Sequence, residues 1–343
     1  MRWCARWTGL MPATVNRVCI YGAGAIGGWI GATLAGAGCH VSVVARGATL
    51  AAIAAHGLRL QSGQITTSHS VQASASPAEL GVQDLVVIAV KAPALLEVAR
   101  QMAPLIGPGT IVLTAMNGVP WWFFQGFGGR YAGTRLQAVD ATGEIESCIP
   151  ARNVVGAVVH ASCAVTRPGS IHHHFGNGLI LGEPSGQITD RIQALAALLT
   201  RAGFNATVSP QIQKDAWYKL WGNMTVNPIS AITGATTDLI LGDELVRGFV
   251  SAVMLEAKEI GARLGLPIDQ QPADRHAVTL KLGAFRTSML QDVDAGRAVE
   301  LDALVTVVRE LGALTGVATP FTDALLGLAR LHARTHGLYP PAA

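Results

Sequence analysis

The sequence predicts an α/β protein, a Rossmann-type doubly wound sheet domain followed by an all-helical domain. Three observations predict it. Strands alternate with helices through the first half, which implies a parallel sheet covered on both faces. A glycine-rich turn, Gly22-Ala23-Gly24-Ala25-Ile26-Gly27, directly follows the first strand. Beyond Pro210 the apolar pattern is almost purely helical. The 343 residues suit about two domains. We expect a loose extension over 1–15, a dinucleotide-binding domain over 16–209 and a helical substrate domain over 210–343.

Taken in order, RVCIYGAG (17–24) is a buried strand entering the glycine turn, and GGWIGATLAGAG (27–38) is a helix ending at Gly38. HVSVVAR (40–46) is the second strand, and residues 58–75 alternate as strands do. DLVVIAVKA (84–92) is a third buried strand, APALLEVARQMAPLI (92–106) an amphipathic helix and TIVLTAMNG (110–118) a further strand. Residues 152–182 are β-rich and read as antiparallel strands added to the sheet. A helix over 190–203 and a short strand at ATVSP follow. Further helices are expected over 211–233, 243–264, 272–292, 298–316 and 320–336.

Half of the residues are hydrophobic and 14% are charged, so sizeable cores are available. The net charge is +3 with no run of Lys or Arg, which argues against a nucleic-acid or membrane surface and suits a small anionic ligand. Five cysteines without a CxxC pair argue against a disulfide framework or zinc site and fit a reducing cytoplasm. Residues 1–14 are too short and broken in their apolar pattern for a signal peptide, and Met11 reads equally well as a start. No apolar run of about 18 residues follows, so no membrane helix is expected. The long apolar carboxy-terminal helices are compatible with a homodimer.

The glycine turn matches GxGxxG, with the first glycine for the tight turn, the second for backbone approach to a pyrophosphate and the third for helix–strand packing. Residues Gly22, Ala23, Gly24, Ala25, Ile26 and Gly27 are therefore the expected phosphate cradle, at the positive end of a helix. An NAD site carries Asp or Glu about 20 residues further on. Here that place reads Ala45-Arg46, and the first acidic residue of the chain is Glu79. Arg46 can pair with a 2′-phosphate, so the expected cofactor is NADPH/NADP+; the plain alternative is a solvated loop arginine. Lys91 and Asn117 lie at the carboxyl ends of two strands, where ligands bind in open α/β sheets. Each also reads as an ordinary strand end or turn.

The stretch DAWYKLWGNMTVNPISAIT (215–233) is an apolar helix carrying Lys219, Asn223 and Asn227. Four helical residues advance about 400°, so the three form one edge about 12 Å long. Apolar residues on nearly every side indicate burial rather than a solvated stripe. Buried polar groups need partners, and a ligand with a keto and a carboxylate group would supply them. A desolvated lysine has a lowered pKa, which suits a general acid. Asn227-Pro228 suggests a kink or helix end near 227. Glu300 and Ser288 read as structural from spacing alone. The triplet His172-His173-His174 lies in a strand, where neighbours point to opposite faces, and makes a poor metal cage.

Together these pieces, GAGAIGG, Arg46, VKA at Lys91, NG at Asn117, KLWGNMTVNP, TSMLQD at Ser288 and Glu300, resemble the ketopantoate reductase (2-dehydropantoate 2-reductase) family over about residues 16–330. The resemblance implies an active site between the two domains and NADPH-dependent reduction of ketopantoate to D-pantoate, a step in pantothenate and coenzyme A biosynthesis. It implies Lys219 as general acid, Asn223, Asn227 and Ser288 holding the substrate carboxylate and hydroxyl, and Glu300 binding the terminal hydroxyl. Asn117, assigned to both substrate and cofactor, and Lys91 would sit by the nicotinamide and ribose. The chain departs from the pattern at Phe285, where an asparagine is expected, and in the aromatic stretch VPWWFFQGFGGRY (119–131). A related NADPH-dependent reductase of a different 2-oxo acid is therefore an alternative, as is a non-catalytic NADPH-binding sensor.

Overall fold

The structure, a computed structural model, describes residues 15–341, so the expectation for residues 1–14 lies outside the described chain. The chain divides into two units. One comprises the chain up to Val90 with Ala94–Met116 and Glu144–Ile212, and the other comprises Lys91–Pro93, Asn117–Gly143 and the chain from Gln213 onward. The single boundary expected at 209 is thus a simplification. Of the two segments that leave the sheet unit, Asn117–Gly143 does so because its apolar side chains are buried elsewhere: Val119, Phe123, Phe124 and Tyr131 join Trp217 and Trp221 in the helical core.

The first unit is built on a ten-stranded sheet. Its strands are β1 (Arg17–Tyr21), β2 (His40–Val44), β3 (Leu58–Ser62), β4 (Ile65–His69), β5 (Gln72–Ser74), β6 (Leu85–Ile88), β7 (Ile111–Thr114), β8 (Val154–Arg167), β9 (Ser170–Gly182) and β10 (Asn205–Val208). They are ordered β4-β3-β9-β8-β7-β6-β1-β2-β5, with β10 beside β9. From β5 to β8 the pairing is parallel, and the order reverses around β1. That reversal is the topological switch point where open α/β sheets bind ligands. β8 and β9 pair antiparallel, as expected from the β-rich segment. The central strands are buried on both sides, which is why they read as continuous apolar runs.

Helices α1 (Ala25–Gly36), α2 (Gly47–His56) and α3 (Leu95–Gln101) follow in chain order. α1 ends at Gly36, two residues before the expected stop. α2 was not expected from the pattern, because only Ile53 is buried in it and alanines leave no apolar stripe. The helix expected over 92–106 is three pieces, since Pro93 and Pro104 open short 3-10 turns on either side of α3. α4 (Gln137–Asp140) belongs to the second unit, whereas α5 (Glu144–Cys148) and α6 (Asp190–Arg201) complete the first. In β9, His173 stacks on Trp29 at 5.4 Å and bonds Ser62 at 3.2 Å, a packing role.

The second unit continues with α7 (Ile212–Thr233), α8 (Thr237–Gly242), α9 (Glu244–Leu264), α10 (Pro272–Leu280), α11 (Ser288–Asp294), α12 (Val307–Thr315) and α13 (Pro320–Thr335). α7 does not end near 227 but runs through Pro228 to Thr233. An interior proline costs about 3 kcal/mol. Burial of Met224, Ile229 and Ala231 around it offsets that at about 1.5–3 kcal/mol per large apolar side chain. The helix expected over 272–292 is two, interrupted between Leu280 and Ser288, where Gly283 takes φ +63° and accepts a hydrogen bond from the Phe285 amide at 2.7 Å. α8 was also missed, being one short turn and a half. Glu300 precedes the helix expected from 298, and a π-helical turn at Asp302–Thr306 leads into α12. No helix among the described residues is long and apolar enough to cross a membrane.

Candidate active site

Within the first unit the fold requires two of the three glycines of the turn, each for a different reason. Gly22 has φ +100°, and a Cβ there would lie 2.7 Å from Val90 Cγ1. A Cβ at Gly27 would lie 2.0 Å from the Gly22 carbonyl oxygen, so α1 packs against β1 only with glycine at that position. Gly24 is different. Its φ of −75° suits any residue, and a Cβ would meet nothing within 4 Å. Neither backbone nor packing needs glycine at 24, and the space it leaves open lies over the amino terminus of α1. Ala25 and Ile26 begin that helix, and its first turn carries no acidic side chain. Ala23 is buried beneath the turn. Free backbone N–H groups and the positive helix end there fit a dinucleotide pyrophosphate.

Arg46 follows β2 and occupies the N-cap position of α2. Its Nη2 donates to Glu97 Oε1 at 2.8 Å and to Gln101 Oε1 at 3.4 Å, and Tyr21 Oη donates to the same Gln101 oxygen at 3.0 Å. The sequence segment after β2 holds no acid, yet folding brings Glu97 to this arginine from α3. Both partners are more than half exposed, so the guanidinium is free to exchange that carboxylate for another anion.

Within the second unit, Lys219, Asn223 and Asn227 occupy successive turns of α7, as their spacing requires. Asn227 is buried at 5% exposure, while Lys219 and Asn223 are half-buried. Burial pushes the Lys219 ammonium down to about 8 from 10.5; Glu300 opposes the fall and the Arg275 charge adds to it. The side chain as a whole keeps some surface, so the depressed value belongs to the ammonium end, where water is least able to solvate the charge.

Glu300 is held rather than merely placed at a helix start. Its Oε1 accepts from the Ala92 amide at 3.0 Å, and its Oε2 lies 3.4 Å from Lys91 Nζ. Lys91 also donates to Asp292 at 2.7 Å, and Asp292 takes a second bond from Arg297 at 3.1 Å. Burial alone would lower the Lys91 pKa, but the Glu300 and Asp292 charges raise it above the ordinary lysine range. Lys91, expected at the cofactor, is thus tied into an acidic pair of the helical unit. Asn117 precedes Gly118, whose φ of +87° and absent Cβ let the chain meet Ala303 in the π-helical turn; the Val119 amide donates to the Ala303 carbonyl at 2.9 Å. Ser288 is the first residue of α11, and its neighbour Thr287 supplies the cap by accepting from the Leu290 amide at 3.2 Å.

The sequence reading missed Asp292, Glu97 and Arg275. Glu97 and Arg275 carry no motif, Asp292 closes TSMLQD without a role of its own in that reading, and each meets its neighbour from an element distant in the chain.

A glycine turn opening a helix on a doubly wound sheet, in a chain that also carries a half-buried lysine of depressed pKa aligned with two amides, is the equipment of a nicotinamide-dependent oxidoreductase acting on CH–OH groups. Comparison with known proteins agrees. The family models described as "Ketopantoate reductase PanE/ApbA" and "Ketopantoate reductase PanE/ApbA C terminal" match residues 18–186 and 211–333. A 2-dehydropantoate 2-reductase of Mesorhizobium japonicum is 46% identical over 324 residues, covering 94% of this chain and 99% of that protein. A solved candidate ketopantoate reductase from Ralstonia solanacearum MolK2 superposes with a TM-score of 0.92 at 56% identity, covering 95% of this chain and all of that one. The 2-dehydropantoate 2-reductase structure from Geobacter metallireducens gives 0.80 at 30% identity, over 92% and 99% of the two chains. The chain belongs to the ketopantoate reductase family.

Proposed function

We propose that this chain reduces the 2-keto group of 2-dehydropantoate to D-pantoate with NADPH, a step of pantothenate synthesis. The observation that carries the reading is Lys219, an ammonium held near pKa 8 on one edge of α7 with Asn223 and Asn227, in a chain 46% identical to a protein named for that reaction. A nicotinamide dinucleotide, when bound, supplies the hydride for C2 of the substrate. The phosphate cradle is Gly22 to Gly27, and Arg46 meets the 2′-phosphate by leaving Glu97. Lys219 gives its proton to the oxygen of the reduced carbonyl, so the keto group becomes a hydroxyl. Asn223, Asn227 and Ser288 orient the substrate, Glu300 binds its far hydroxyl, and Asn117 serves substrate and nicotinamide. Lys91 holds Glu300 in place.

Phe285 favours a second reading, in which the same reduction acts on another 2-oxo acid. It is partly buried in the segment between α10 and α11, where its backbone carbonyl accepts from the Thr237 amide at 3.0 Å, and it places an apolar ring where the family pattern has an amide. NADPH oxidation with a panel of 2-oxo acids separates the readings: ketopantoate giving the highest kcat/KM supports the first, a larger or more apolar acid the second, and no turnover with any acid refutes both. We expect a homodimer, since α9 and α13 expose Leu245, Leu255, Phe321, Leu328 and Leu331; sedimentation at working concentration tests this.

A further inference from the structure

Arg275 is a half-buried cation whose buried Nε is an unmet donor, packed on the same helix as the reacting lysine. α10 starts at a capping box in which Gln271 and Asp274 bond reciprocally, with Pro272 in the first turn; this fixes the helix start and with it Arg275 one turn later. The guanidinium lies against α7. A Cβ at Gly222 would lie 2.7 Å from Arg275 Nε and 2.9 Å from Nη2, so only glycine at 222 admits the group. Lys219 is three residues before Gly222 and on the same side of the helix. Tyr218, which bonds Gln270 at 2.6 Å, supports the guanidinium from beneath at 5.2 Å. Arg275 Nε is buried with no hydrogen-bond acceptor, and no described carboxylate lies within ion-pair distance of Arg275. The neighbouring His276 faces Ser251 instead, at 2.9 Å.

An orphaned buried donor of this kind is unfavourable unless a partner arrives. Two neighbouring cations repel, and an anion placed between them removes that repulsion as well. We propose that Arg275 binds the carboxylate of the 2-oxo acid whose keto oxygen Lys219 protonates. This rests on the reduction assigned above. In a 2-oxo acid the carboxylate is bonded to the carbonyl carbon, so one molecule reaches both cations. The carboxylate meets the Nη groups, and rotation about the outer side-chain bonds brings Nε into the same pair.

The test uses full-length protein with NADPH bound. Oxamate, an unreactive 2-oxo acid analogue, is titrated calorimetrically, and kcat and KM are measured for a 2-oxo acid and for its methyl ester. Arg275→Gln should weaken oxamate about 10- to 100-fold and raise KM for the acid by a similar factor. The ester should change less than about threefold, and dinucleotide affinity should be unchanged. Gly222→Ala pushes the guanidinium aside while leaving it charged, and should produce the same loss of discrimination between acid and ester if Arg275→Gln fails to fold. A wild-type chain that binds oxamate but reduces no 2-oxo acid would refute the assigned reaction and leave the anion site standing. Absence of oxamate binding in the wild type, equal losses for acid and ester, or oxamate affinity in the variant within threefold of wild type would overturn the proposal.

Discussion

The pH dependence of the reduction follows from the environment of Lys219. A general acid must carry its proton, and kcat/KM reports the pKa of that acid in the free enzyme. The fall from 10.5 to about 8 corresponds to roughly 3 kcal/mol of lost preference for the ammonium. About nine-tenths of the lysine is then protonated at pH 7 and about one-hundredth at pH 10. The expected profile is level below about pH 8 and falls tenfold per pH step above it. Glu300 is the charge that holds the value up, so Glu300→Gln should move the break to lower pH, while Lys219→Ala should abolish it. Loss of a general acid is worth about 10²- to 10⁴-fold, or roughly 3–5 kcal/mol in kcat/KM. The assay is NADPH oxidation at sub-saturating 2-oxo acid between about pH 6 and pH 10, with NADPH affinity measured separately by fluorescence. A wild-type break near the ordinary lysine value, a break that survives Lys219→Ala, or near-full turnover in that variant would refute the assignment.

Other outcomes can be stated from the packing. Gly24→Ala should leave the melting temperature unchanged, because its Cβ meets no protein atom, yet weaken NADPH about tenfold or more by occupying the space over α1. Gly27→Ala should instead destabilise by several kcal/mol, roughly the range for overpacking or more, because its Cβ would overlap the Gly22 carbonyl; denaturant unfolding of both variants distinguishes the two. Arg46→Glu should convert an NADPH preference into a preference for NADH, read as the ratio of kcat/KM for the two cofactors. Glu300→Ala strands the Ala92 amide and should cost about 1–3 kcal/mol in urea unfolding; a change below about 0.5 kcal/mol would mean that the carboxylate is not held as described.

Much was already legible in the sequence because it depends on local chemistry. The glycine turn needs only the conformational freedom of Gly22 and the small size of Gly27, and both leave a mark at fixed spacing. The Lys219–Asn223–Asn227 edge needs only helical periodicity, and α7 keeps it. Buried strands such as β6 and β7 declare themselves as unbroken apolar runs. Where the reading failed, a distant contact outweighed a local preference. Pro228 would end an isolated helix, but the apolar packing around α7 carries the helix through it. The aromatic stretch 119–131 lies between sheet elements in sequence, yet its Val119, Phe123, Phe124 and Tyr131 are buried in one apolar core with Trp217 and Trp221.

The sequence by itself determined the fold class, the glycine turn and the Lys219–Asn223–Asn227 edge, since each rests on a short-range geometric rule. Only the tertiary structure decided the electrostatics. Glu97 reaches Arg46 from 51 positions away, Lys91 joins Glu300 across 209, and Arg275 comes to rest on Gly222 from another helix. Charges act through space and not along the chain, so no spacing could have announced them.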